Sequence, residues 1–213
     1  MNYLEELENY RNREIDVLKN LNLDEVNSVM NVLDNARHNG NRIFICGNGG
    51  SAATASHYAC DFNKGVNMGI VGIDGHSKNE KSIAELLHNS NTPLFDFECL
   101  SDNQATLLAV ANDESYDEVF RFPLSVKMKK GDVVIGISGS GNSKNVVNAL
   151  SFAKEMGGTT IAIVGYDGGK MKKMADYSIH VNINDMQIAE DIHMVLDHMM
   201  MWVFSHSEQE NNR

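Results

Sequence analysis

The chain is poor in the residues that mark several protein classes. It has three cysteines in 213 residues, Cys46, Cys60 and Cys99. An odd, scattered set makes no disulfide framework and lacks zinc-ribbon spacing. Cys46, at the end of an apolar run, reads as a small buried hydrophobe. There are two prolines, Pro93 and Pro123, and no Pro/Gly/Ser-rich linker, so one domain is expected over residues 1–213. No run approaches the roughly 20 apolar residues of a membrane-spanning helix. The opening MNYLEELENYRNRE has no apolar core of a secretory signal, and a cytoplasmic protein is expected. Basic residues are also scarce. The 18 Lys and Arg face 29 Asp and Glu, a net charge of −11. That argues against a general nucleic-acid binder, which needs a basic face. It leaves room for a phosphate ligand, because local N–H groups can outweigh distant carboxylates.

What is present is an ordinary globular balance, 42% hydrophobic and 22% charged. Apolar residues at Leu4, Leu7, Ile15 and Leu18 predict an amphipathic helix over 3–19. Val26, Val29, Met30, Leu33 and Ala36 predict a second over 24–38, stopped by Asn39-Gly40. Short apolar runs then alternate with helical segments. Strands are expected at 42–46, 69–73, 94–100, 133–137, 160–164 and 177–181. Helices are expected at 52–62, 82–87, 103–111 and 145–156, with a long one at 184–204 opened by a capping box from Asn184 to Gln187. The strands are continuously rather than alternately apolar. This predicts an α/β fold with a parallel sheet covered on both faces.

Two stretches share a layout. RIFICGNGGS (42–51) and DVVIGISGSGNS (132–143) each run from a strand through Gly, Ser and Asn into a helix. Backbone N–H groups, small hydroxyls and a helix N-terminus then converge on one point, which suits a phosphate. The plainer reading of each is an ordinary strand–helix turn. Neither carries the lysine of a P-loop, and neither fits the dinucleotide fingerprint, which argues against ATP or NAD.

Ionisable residues recur at helical spacing. His57 and Asp61 are four apart, on one helix face. The last helix offers Glu190, His193, Asp197 and His198, with Glu190 and His198 eight apart on roughly one face. Two histidines and two carboxylates suit a divalent metal such as zinc, or proton transfer. Exposed polar residues or structural ion pairs are the alternative. His38, His76, His88, His180 and His206 lack such company and read as surface residues.

Together these residues resemble the sugar isomerase (SIS) domain family, and within it the phosphoheptose isomerase group. The likeness rests on GNGGSAATASHYACDF (47–62), SDN (101–103), AVANDESYDEVF (109–120), KGDVVIGISGSGNSKNVVNAL (130–150), VGYDGGKM (164–171) and the final histidine-bearing helix. It implies a three-layer, doubly wound, five-stranded parallel sheet over 41–204, preceded by two N-terminal helices (1–40) used in assembly and closed by a long C-terminal helix. It implies a homotetramer with active sites at subunit interfaces. The implied reaction interconverts sedoheptulose 7-phosphate and D-glycero-D-manno-heptose 7-phosphate through an enediolate, for heptose-containing surface polysaccharide.

Position by position, Asn48, Gly49, Gly50 and Ser51 match a sugar-phosphate loop, and Ser138, Gly139, Ser140 and Ser143 match the phosphate-holding loop. Asn112 and Asp113 match a substrate-contacting pair. His57 matches a zinc ligand and His198 a catalytic, metal-binding histidine. The implied zinc site is His57, Asp61, Glu190 and His198, with Asp61 and His198 catalytic and with Asp61 and Glu190 also facing substrate. Two positions depart: Asp61 stands where the family usually has Glu, and Glu190 where it usually has Gln. Rival readings are a non-catalytic SIS adaptor of the replication-initiator-binding type, a sugar-phosphate sensor, or an isomerase of another phosphorylated sugar. Retention of four ligand-type side chains favours an enzyme.

Overall fold

The computed structural model describes residues 1–73 and 81–211, with side chains to 206. Two helices lead, α1 (Leu4–Lys19) and α2 (Leu23–His38). Asn22 caps α2, its side-chain oxygen accepting from the Asp24 and Glu25 N–H groups. The strands are β1 (Ile43–Cys46), β2 (Phe97–Cys99), β3 (Val133–Ser138), β4 (Thr159–Val164) and β5 (Tyr177–His180). They form one sheet in the order β2-β1-β3-β4-β5, with every pairing parallel.

Both faces are covered, which accounts for the continuous hydrophobicity of the strands. Ile43, Ile45, Val133, Ile135, Ile137, Ile161 and Ile163 point to one side, under α2 and the last helix, α10 (Met186–Asn211). Phe44, Cys46, Val134, Ala162 and Val164 point to the other. That side is covered by α6 (Gln104–Asp113), α7 (Arg121–Lys127), α8 (Lys144–Glu155) and α9 (Gly169–Met174). Burial raises the Cys46 thiol pKa, so Cys46 is an inert core residue.

The strand expected at 69–73 is not there. A helix opens as α3 (Gly50–Cys60), widens into π-helical turns over Asp61–Val66, and continues as α4 (Asn67–Val71). It ends at Gly72, whose left-handed backbone (φ 75°) closes the last turn. A short apolar run such as GIVGI has no period that separates a strand from a buried helix. Here the preceding helix extends through it, because adding turns costs less than nucleating new structure.

The last helix starts two residues later than expected. Asp185 rather than Asn184 accepts from the N–H groups of Gln187 and Ile188. The short helix expected at 82–87 is α5 (Ile83–His88), capped by Ser82. Helices α7 and α9 are too short for periodicity to reveal. His76 and the rest of 74–80 lie outside the described residues.

The site is positioned by close helix crossing. Gly65 and Gly69 lie on the face turned to α10. A Cβ on Gly65 would strike the Met201 methyl, and one on Gly69 would lie 2.7 Å from the Ser205 Cβ. Small residues there let the two helices approach, so that a histidine on each can face the other.

Candidate active site

In a doubly wound sheet, ligands bind beyond the strand carboxyl ends where the strand order reverses. Here that point lies between β1 and β3, and both Gly-rich turns meet there. The two turns are joined by a reciprocal amide pair. Asn48 Nδ2 donates to Asn145 Oδ1 at 2.8 Å, and Asn145 Nδ2 returns a bond to Asn48 Oδ1 at 2.9 Å. The Tyr116 hydroxyl also donates to Asn48 Oδ1, at 2.9 Å.

In the second turn, Ser138 Oγ and Ser143 Oγ are 3.0 Å apart. Ser138 is buried, while Ser140 and Ser143 are half-buried. The turn closes through Gly141, which has φ 63° and donates to the Ser138 carbonyl at 3.1 Å. An L side chain there would be strained and would collide with the Gly168 carbonyl. Ser143 occupies the cap position of α8 without its side chain capping the helix. The Ser143 hydroxyl, paired with Ser138, therefore leaves the first N–H groups of α8 uncapped, apart from that of Val146, which donates to Asn145 Oδ1 at 3.0 Å.

The first turn has a different neighbour. Glu190, half-buried on α10, lies against Gly50 at the start of α3. A Cβ on Gly50 would come within 2.8 Å of both Glu190 carboxylate oxygens. Ser51 is buried, and Gly49 and Gly50 are exposed.

The ionisable residues of α3 and α10 converge. His57 Nε2 lies 3.1 Å from His198 Nε2 and 3.4 Å from Asp61 Oδ2, and His198 Nε2 lies 3.9 Å from the same Asp61 oxygen. Asp197 completes the group: one ligand atom from each of His57, Asp61, Asp197 and His198 lies within 4.8 Å of the other three. The two histidines are largely exposed, and Asp197 is fully buried. Neither Asp197 oxygen has a hydrogen-bond partner among the described residues. Burial, with the nearby Asp61 charge added, pushes the Asp197 carboxyl up to about 8.

Not every expected residue joins this group. Glu190 is outside it, at the first turn of α3. His193 is buried in the core, and burial pushes its imidazole down to about 4, so it is neutral. Asn112 and Asp113 are exposed at the end of α6 and bonded to each other at 2.8 Å. His180 is half-buried rather than a free surface residue, with its ring against Lys172 Nζ and the Tyr166 carbonyl.

The metal set implied by the family resemblance does not include Asp197, which the structure brings into the group. Sequence reasoning also passed over Asn145 and Tyr116, whose roles depend on which loops meet. A cleft of about 790 Å³ beside β2, lined by residues such as Cys60, Asn63 and Asp102, contains none of the converging histidines.

A model of the SIS domain matches residues 3–165. The chain is 35% identical over 182 residues to a probable phosphoheptose isomerase of Thermoplasma acidophilum, covering 85% of this chain and 87% of that protein. It is 37% identical over 163 residues to a phosphoheptose isomerase of Aliarcobacter butzleri, covering 75% and 73%. The solved structure of a phosphoheptose isomerase from Neisseria gonorrhoeae aligns with a TM-score of 0.79 at 26% identity, over 96% of this chain and all of that one. Turn motifs, sheet order and these likenesses agree that the chain belongs to the SIS domain family, in its phosphoheptose isomerase branch.

Proposed function

We propose that this protein interconverts sedoheptulose 7-phosphate and D-glycero-D-manno-heptose 7-phosphate, in the cytoplasm, for surface polysaccharide. The observation that carries the reading is the pairing of two features: a phosphate-type turn at the β1/β3 switch point and a cluster of His57, Asp61 and His198 on the adjoining helices.

Ser138, Ser140, Ser143 and the first N–H groups of α8 hold the phosphate and set the position of the far end of the sugar. Asn48, Gly49, Gly50 and Ser51, with Asn112, Asp113 and Glu190, bind the sugar hydroxyls. From the ketose, Asp61 or His198 takes a proton from C1, next to the C2 carbonyl, leaving a cis-enediolate. The proton is returned at C2. The other of the two groups moves a proton from O1 to O2, which leaves the aldehyde at C1. Both groups belong to one cluster, so either can take up what the other releases.

The donor set suits zinc. Ligands on a tetrahedral zinc lie about 3.4 Å apart, given bonds of about 2.1 Å. The His57, His198 and Asp61 atoms are separated by 3.1, 3.4 and 3.9 Å. His57, Asp61 and His198 would hold the ion, with Glu190 the fourth candidate by family likeness. A bound divalent ion would supply Lewis acidity at the sugar carbonyl.

Assembly as a homotetramer, with sites completed between subunits, is part of the reading. Leu4 and Leu7 of α1 are 63% and 64% exposed, and α1 buries no residue within the protomer. Trp202 on α10 is 63% exposed. Residues 1–40 would serve assembly and 41–204 the sugar-phosphate-binding core of a single domain.

The test is an NMR assay of the purified protein with sedoheptulose 7-phosphate, before and after chelation and with zinc restored. The aldose product should appear, vanish on chelation and return with metal. His198→Ala should lower turnover by about 10²–10⁴-fold while sugar-phosphate binding is retained. Near-normal turnover in that variant would remove His198 from the mechanism. No product from the folded wild type would overturn the substrate.

A further inference from the structure

Among the described residues, Asp197 is the member of the converging group given nothing to bind. It is fully buried, and both carboxylate oxygens lack a hydrogen-bond partner among the described residues. Buried carboxylates are ordinarily paired, hydrogen-bonded or ligating a metal. Asp197 instead shares a small volume with a second carboxylate, Asp61, and with the ring nitrogens of His57 and His198, all within 4.8 Å. Two carboxylates aimed at one point repel unless a cation lies between them. Its backbone setting also fixes where it points. Asp197 precedes His198 on α10, which the small faces of Gly65 and Gly69 hold close to the π-helical stretch beginning at Asp61.

Glu190 has the opposite character. It is half-buried, lies against Gly50 at the head of α3, and is not in the group.

We infer that Asp197 is a direct ligand of the divalent cation, entering from the buried side to complete a His57–Asp61–Asp197–His198 set, and that Glu190 is not a ligand but faces the substrate loop. The inference rests on the metal reading above and goes beyond it, because it exchanges one ligand for another. Two carboxylates and two neutral imidazoles balance the charge of a divalent ion. This mixed oxygen and nitrogen set also accepts manganese, iron or cobalt, so the choice of metal would follow availability as much as affinity.

The experiment is competitive titration of chelator-stripped, full-length protein with zinc against a chromophoric chelator. Wild type, Asp197→Asn, Asp197→Leu and Glu190→Gln are compared. A parallel cobalt titration reads the visible absorption, which reports the ligand set without any catalysis. Asp197→Asn should weaken zinc by at least about 100-fold, beyond the 10–100-fold usual for residues one shell away. It should also change the cobalt spectrum. Glu190→Gln should shift zinc affinity by less than about threefold, well below that outer-shell range, and leave the spectrum unchanged.

Melting of the stripped proteins guards against misfolding. Asp197→Leu removes an unpaired buried carboxylate, so it should melt at or above the wild-type temperature while losing the metal-dependent rise. A wild type that binds no divalent ion would overturn both this inference and the metal reading. A wild type that binds, with Asp197→Asn binding equally well or Glu190→Gln losing the metal instead, would overturn the ligand assignment alone.

Discussion

The turn after β1 and the turn after β3 end neighbouring strands and each leads into a helix, yet their electrostatic surroundings are opposite. At the first, the Glu190 carboxylate already lies against Gly50, where the positive end of α3 is found. At the second, the paired Ser138 and Ser143 hydroxyls and the start of α8 remain for an incoming anion. On the proposed function, a dianionic phosphate would bind at the second and sugar hydroxyls at the first. The Asn48–Asn145 pair then holds the two turns at one spacing, so that a single substrate can span them.

That contrast can be broken most severely at its glycines. Gly141→Ala should cost about 2 kcal/mol or more, because a left-handed alanine is strained and its methyl meets the Gly168 backbone. Gly50→Ala meets only the mobile end of the Glu190 side chain and should stay within about 1 kcal/mol of wild type. Denaturant midpoints of the two variants decide the point, and equal losses would mean that the turns are not distinguished.

Ser138→Ala removes a hydroxyl from a charged ligand. It should raise KM by about 10–100-fold, the equivalent of about 1.5–3 kcal/mol. Ser51→Ala should raise KM much less, and steady-state kinetics with the heptose phosphate tell them apart. Asn48→Ala should destabilise the fold by about 1–2 kcal/mol, because it strands the buried Asn145 NH2 group, whose oxygen keeps the Val146 N–H, and thermal melts would show it. The smallest effect is expected from Glu190→Gln. Loss of one nearby negative charge should tighten inorganic phosphate binding by about 2–5-fold, more at low salt. Weaker phosphate binding in that variant would contradict the placement of phosphate at the second turn.

Much of this was legible along the chain. The parallel sheet followed from continuously apolar runs at 42–46 and 133–137, and the turns from their Gly, Ser and Asn content. The face shared by His57 and Asp61 followed from helical spacing alone. The run at 69–73 was misread because five apolar residues carry no usable period, and its helix comes from the segment before it. Asp197 was named among the ionisable residues of the last helix, but its place in the group depends on what lies across the α3–α10 crossing, which neither spacing nor resemblance records.

The sequence by itself thus determined most of the local features: five of the six expected strands, the two turns and the helical pairing of ligand-type residues. These depend on neighbours a few positions apart, where spacing translates directly into geometry. Only the tertiary structure decided which of those features share a site. It brought His57 to 3.1 Å from His198 across 141 positions of chain, set Glu190 on the first turn rather than beside the two histidines, and buried Asp197 without a hydrogen-bond partner among the described residues. Such choices are made by the packing of one helix on another, and no local pattern records where that contact falls.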